Sequence, residues 1–116
     1  MEFVTFEIAV KLKEKGFDYP CFGHYVNSQL YVAHYHNAFH SDNKESIDAP
    51  TISQVLKWLR EEKKIAINVE FIPFTWQCKI IDMSYNNRFD HCGMTIFNTY
   101  EQAALAGIEY VIDNLI

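Results

Sequence analysis

Ala49-Pro50-Thr51-Ile52-Ser53-Gln54-Val55-Leu56-Lys57-Trp58-Leu59-Arg60 is the stretch that divides the chain. Thr51 and Gln54 have capping-box spacing: the hydroxyl accepts from the Gln54 N–H while the amide reaches back to the Thr51 N–H. Ile52, Val55, Leu56 and Leu59 then recur at i, i+3, i+4 and i+7, which predicts a helix with one apolar stripe. Lys57, Arg60, Glu61 and Lys64 keep the other side in water, and Trp58 lies at the stripe's edge. The arrangement returns at Thr99-Tyr100-Glu101-Gln102. There the box opens a stripe of Ala104, Gly107, Ile108, Val111, Ile112 and Leu115. Gly107 weakens the helix relative to Ala, which predicts close approach to a neighbouring backbone.

Two strand-like runs precede each box. Cys21–Val26 and Leu30–Tyr35 form a predicted hairpin, with Asn27-Ser28 as its turn because Asn tolerates positive φ. Ile65–Ile72 alternates Ile65, Ile67, Val69 and Phe71 with Ala66, Asn68 and Glu70, a half-buried strand. Trp76–Met83 is its expected antiparallel partner, with a bulge expected near Ile80-Ile81 where the alternation changes phase. Tyr85–Arg88 reads as a turn and Met94–Phe97 as a further short strand. Asn37–Pro50 reads as a long polar connection. A first helix over Phe6–Lys15 has Thr5 as cap, Gly16 as its left-handed stop and Phe17 folding back behind it.

The expected fold is therefore a single α+β domain over 1–116, in the order α-ββ-α-ββ(β)-α. An antiparallel sheet of four to five strands carries three helices on one face. The two ββα halves, roughly 19–62 and 65–115, are compatible with a duplication or with independent use of a common unit.

A chain of 116 residues with 49% hydrophobic and 16% aromatic content can bury a full core, which excludes disorder for most of it. The net charge of −5 argues against a phosphate-neutralising domain, so nucleic acid is not an expected partner. Lys11, Lys13, Lys15, Lys57, Arg60, Lys63 and Lys64 crowd two helix ends, where cations complement the helix dipole. An accessory nucleic-acid binder would have to use these same ends. Met1–Glu7 does not read as a signal peptide, and no apolar run is long enough to span a membrane. Three cysteines without CxxC spacing read as reduced thiols, which implies a cytoplasmic protein.

Two clusters bear on chemistry. His34 and His36 share a strand face by their spacing, with His40 four residues on and Cys21 and His24 in the partner strand. Together they are the candidate metal ligands, although their spacing matches no zinc signature. Asp90-His91-Cys92 juxtaposes a thiol, an imidazole and a carboxylate, but working triads converge from separate elements. The four glycines stand apart, and neither GxSxG nor HExxH occurs, so no cofactor is expected.

The aromatics carry the functional expectation. Tyr25, Tyr31 and Tyr35 crowd the first hairpin, with Phe39 nearby. An aromatic sheet face left bare by helices is an oligomer interface, a partner-binding surface or a stacking platform for bases, the last disfavoured by the acidic charge; the alternative is that these aromatics complete a core. The chain reads as a non-enzymatic interaction or self-association domain, its partner a protein or a second copy in a homodimer. The alternative is a small metal- or thiol-dependent enzyme built on the histidine and cysteine clusters.

Three stretches also carry a resemblance: Lys13-Glu14-Lys15-Gly16-Phe17-Asp18-Tyr19-Pro20-Cys21-Phe22-Gly23, Ala49-Pro50-Thr51 leading into Lys57-Trp58-Leu59-Arg60-Glu61, and Tyr100-Glu101-Gln102-Ala103-Ala104 with Ala106-Gly107-Ile108. In these the chain resembles uncharacterised small α+β proteins of gut Bacteroidetes bacteria and of their prophages and mobile elements. The resemblance implies a bacterial cytoplasmic protein acting in phage or mobile-element biology. It transfers no catalytic residue.

Overall fold

The computed structural model describes residues 2–32, 46–83, 88–91 and 96–116. The chain forms two compact units, Met1–Gln54 and Val55–Ile116. Both are α+β.

In the first unit, α1 (Phe6–Glu14) starts where Thr5 Oγ1 accepts from the Ile8 N–H at 3.3 Å. It ends in a Schellman turn. Gly16 takes φ +87°, its N–H donates to the Lys13 carbonyl, and the Phe17 N–H donates to the Leu12 carbonyl. β1 (Gly23–Val26) and β2 (Gln29–Val32) are joined by Asn27-Ser28, at φ 51° and 67°. Two positive φ values make a type I′ turn, whose twist matches that of the strands it joins.

The third strand, β3 (Ser46–Ala49), lies inside the stretch expected to be polar loop. It pairs antiparallel with β1, Tyr25 opposite Ile47, and makes β1 the middle strand of the order β2-β1-β3. Ser-Ile-Asp-Ala has no alternation of its own, so the strand exists because β1 offers an unpaired edge. Val4, Ile8, Ala9, Leu12, Cys21, Tyr25, Ala49 and Ile52 make the buried core. Gly23 is required by a close approach. A Cβ there would stand 2.8 Å from the Phe3 ring and 3.1 Å from the Ala49 carbonyl oxygen.

Helix α2 (Ile52–Trp58) begins in the first unit and runs into the second. Its expected capping box is present and reciprocal. The Thr51 N–H donates to Gln54 Oε1 at 2.8 Å, and the Gln54 N–H donates to Thr51 Oγ1 at 3.2 Å. The helix continues as a π-helical turn, Leu59–Lys63, that Lys64 ends at φ 58°.

In the second unit β4 (Ile65–Ile72), β5 (Thr75–Asp82) and β6 (Arg88–His91) form an antiparallel sheet in sequence order. The β4–β5 register is continuous from Ile65 opposite Asp82 to Ile72 opposite Thr75, so the expected bulge does not form. Ile80 is buried and Ile81 half-buried on the other side, which explains the two adjacent apolar residues without a kink. β6 occupies part of what had read as a turn and loop. Of the strand expected over Met94–Phe97, the described part is Ile96 and Phe97, of which Phe97 pairs with Trp76 as an isolated bridge; Met94 and Thr95 lie outside the described residues.

Helix α3 (Tyr100–Asn114) packs on β4 and β5. Thr99 caps it, accepting from the Gln102 N–H at 3.1 Å, while the Gln102 amide accepts from the Asn98 N–H. Gly107 lies in its buried stripe with Ala103, Ala104, Ile108, Val111 and Ile112.

The fold class is thus α+β with antiparallel pairing, as expected. Among the described residues, however, the strands form two three-stranded sheets rather than one sheet of four to five. The extra strands β3 and β6 complete each hairpin locally, so each sheet carries its own helix: α1 packs on β3, and α3 on β4 and β5.

Candidate interaction surface

The β4–β5 hairpin turns through Ile72-Pro73-Phe74-Thr75. Proline holds φ near −65°. It thereby excludes both primed turns that two-residue hairpins favour, since each needs positive φ at the first central position. The positive φ falls on the second residue instead, and Phe74 sits at 72°. That is the type II pattern, which ordinarily places glycine there. A phenylalanine in this conformation stores backbone strain, and its side chain is 94% exposed.

Further apolar side chains are exposed near Phe74 in the hairpin. Phe71, opposite Trp76 in the register, is 63% exposed, and their rings lie 5.0 Å apart. Trp76 also meets Tyr100 edge-to-face at 5.8 Å. Tyr100 is the first residue of α3, so this helix supplies no cover beyond that point. Ile65, Ile67, Val69 and Phe71 share one face of β4, yet only Ile65 and Ile67 are buried. The inward stripe thus runs out into solvent at the tip. Taking each aromatic at about 150–250 Å², the exposed fractions of Phe71, Phe74, Ile96 and Tyr100 leave on the order of 500 Å² of apolar side chain bare, while Ile72 faces the other side of the strand. This lies near the upper end of the largest patches on ordinary monomers, which are often functional.

The sequence placed the surface on the first hairpin, and the structure divides those residues. Tyr25 belongs to the core at 9% exposure, its hydroxyl donating to the Val4 carbonyl at 2.6 Å and its ring edge-on to Phe6. It is therefore withdrawn from any docking face. Burial, and secondarily Glu7, raises its phenol pKa above the usual value. Tyr31 is 50% exposed on β2, stacked on His24 at 5.7 Å, with Leu30 and Val32 exposed beside it. Tyr35 and Phe39 lie outside the described residues. The β4–β5 tip was missed because strand alternation does not show where a helix stops covering a sheet. Pro73-Phe74 at the turn was the available signal.

For chemistry, His34, His36, His40 and Cys92 lie outside the described residues. Among the described residues no three His, Cys, Asp or Glu side chains gather to hold a metal. Asp90 and His91 stand on β6, paired with Ile80 and Lys79. Cys21 is a free, buried thiol whose Sγ–H donates to the Tyr19 carbonyl at 3.2 Å. Burial, helped by Asp48, pushes its pKa up to about 12. A thiolate nucleophile needs the opposite shift. Cys78 is 4% exposed and disulfide-bonded, which corrects the reading of three reduced thiols.

No family model, curated protein or solved structure matches the chain. No helix among the described residues is long and apolar enough to cross a membrane.

Proposed function

We propose that this protein is a non-enzymatic interaction domain that associates with a second copy of itself through the tip of the β4–β5 hairpin. The observation that carries this is Phe74, an aromatic side chain held in solvent by a strained turn. Such a placement stabilises nothing in the isolated chain. Its cost, on the order of 1–2 kcal/mol for a left-handed L-residue, is offset when the ring is buried by a partner.

The occupant follows from area and charge. Two tips meeting would bury roughly 1,000 Å² in total, at the lower edge of specific interfaces, which corresponds to a weak, concentration-dependent dimer. Between Glu70 and Gln77 the only charge is Glu70. A chain of net charge −5 repels its copy, and the tip is where like charges approach least. The cellular setting we propose is the one the resemblance implies, a bacterial cell and its mobile elements.

Sedimentation velocity over two decades of protein concentration tests the reading. Wild type is expected to shift towards dimer as concentration rises, and more readily in added salt, which screens the repulsion. The Phe71→Ala, Phe74→Ala variant should remain monomeric with its fold intact. A wild type that stays monomeric throughout, or a variant that dimerises equally, overturns the proposal.

A further inference from the structure

β4 is the outermost strand of its sheet, and among the described residues no other strand pairs with its free side. We infer that two copies join along this edge, β4 against the partner's β4, antiparallel and centred on Phe71. The inference rests on the self-association proposed above and gives that contact a backbone register.

Two sets of bonds fix which backbone groups face the open side. The Trp76 N–H donates to the Phe97 carbonyl at 2.9 Å, and the Phe97 N–H donates to the Trp76 carbonyl at 2.8 Å. Trp76 therefore bonds on the side of β5 away from β4. Phe71, which stands opposite Trp76, is in a non-hydrogen-bonded pair, so its own N–H and C=O point away from β5 into the free edge. The base of the hairpin agrees. There the Met83 N–H donates to the Lys64 carbonyl at 2.8 Å, and Lys64 lies an odd number of positions from Phe71 along an unbroken register. Sheets usually blunt such an edge with Lys, Pro, a bulge or a short strand. β4 has eight residues in continuous register, with neither Lys nor Pro among them.

Exposure sets the centre. Ile65 and Ile67 are buried, whereas from Asn68 to Phe74 every residue except Val69 is exposed, and Phe71 is the midpoint of that run. Around it Phe71 opposes the partner's Phe71, an aromatic cross-strand pair. Glu70 opposes the partner's Ile72, so the carboxylates of the two copies do not face each other. A register centred on Glu70 would set them directly opposite. Since Trp76 stands opposite Phe71 within each copy, the joined sheet carries four rings in one row, two from each copy. Pro73 falls opposite the partner's Val69 and offers a carbonyl but no N–H, which ends the ladder there. Because the same edge is used by both copies, the contact closes as a dimer and leaves no β4 edge to extend it.

Amide hydrogen exchange tests the edge, read by NMR on the full chain at concentrations where sedimentation finds first monomer and then dimer. The Phe71 amide should slow about tenfold once about nine chains in ten are paired, because only the unpaired fraction exchanges. The Asn68 amide, turned towards β5 by the same alternation, should not respond to concentration. The register has its own test. A mixture of Glu70→Cys and Ile72→Cys chains, oxidised with glutathione disulfide and mapped by peptide digestion, should give a covalent dimer that joins those two positions, and neither variant alone should give one through its new thiol. A dimer whose Phe71 amide ignores concentration, or one in which Glu70→Cys chains cross-link to each other instead, overturns the edge pairing and leaves self-association standing. A wild type that never dimerises overturns both.

Discussion

Replacing Phe74 by glycine should raise the stability of the chain while weakening its association. The ring is 94% exposed, so truncation removes little packing. The backbone at φ 72° costs an L-residue about 1–2 kcal/mol, and glycine adopts it freely. Glycine in turn costs roughly 0.5–1 kcal/mol through its more flexible unfolded chain. The expected net gain is about 0.5–1 kcal/mol, equivalent to a rise in Tm of roughly 2–6 °C for a chain of this size. Phe74→Ala is the control. It loses the ring but keeps the strain, so it should gain no stability and sit about 1 kcal/mol below Phe74→Gly. Urea unfolding at a concentration where the wild type is monomeric reads the intrinsic difference, and sedimentation at high concentration reads the association. If Phe74→Gly were less stable than wild type by 1 kcal/mol or more, the ring would be packing within its own chain, and the account of a strained, outward-facing side chain would be wrong.

Three further outcomes follow from the first unit. Tyr25→Phe removes the 2.6 Å bond to the Val4 carbonyl and leaves that acceptor buried, so unfolding should show a loss of about 1–3 kcal/mol, whereas Tyr31→Phe on the exposed strand should change stability by under about 0.5 kcal/mol. Gly23→Ala should destabilise by about 1–3 kcal/mol, because Phe3 and the Ala49 carbonyl occupy the space its Cβ needs; a neutral result in thermal unfolding would mean that Phe3 swings aside. The Cys21 thiol is raised from 9.0 to about 12, so the folded state favours its neutral form. That contribution is fully present below pH 9 and is lost as pH rises from 9 towards 12. Cys21→Ser should flatten part of the alkaline fall in stability, and the remainder should respond to Tyr25→Phe, since the Tyr25 phenol is shifted in the same direction.

The legible parts of the fold were those set within a few residues. The Thr51–Gln54 box, the Thr99 cap, the Gly16 stop and the Asn27-Ser28 turn all form as their spacing predicts, because each is closed by bonds between near neighbours. The amphipathic stripes of α2 and α3 likewise fall on buried residues, except Leu115, which is half-buried just past the end of α3. Two of the failures are strands that depend on an edge offered by another strand. Ser46–Ala49 becomes a strand only because β1 has an edge to give it, and Arg88–His91 because β5 does. The bulge at Ile80-Ile81 was a misreading of a regular strand that is apolar on both sides.

The candidate surface divides in the same way. That aromatics exceed what the core requires was visible in composition, but which of them stay outside was not. Tyr31 stands opposite His24, one register position from Tyr25, so the two tyrosines of this hairpin fall on opposite faces. One is drawn into the core by the Val4 carbonyl and the Phe6 ring; the other faces water. By itself the sequence determined the helices, their caps, the first hairpin turn and the α+β class, since hydrophobic period and short-range hydrogen bonding decide these locally. The tertiary structure alone decided the third strand of each sheet, the fate of each aromatic and the pairing state of Cys78, because each depends on which surfaces remain uncovered once distant segments have met.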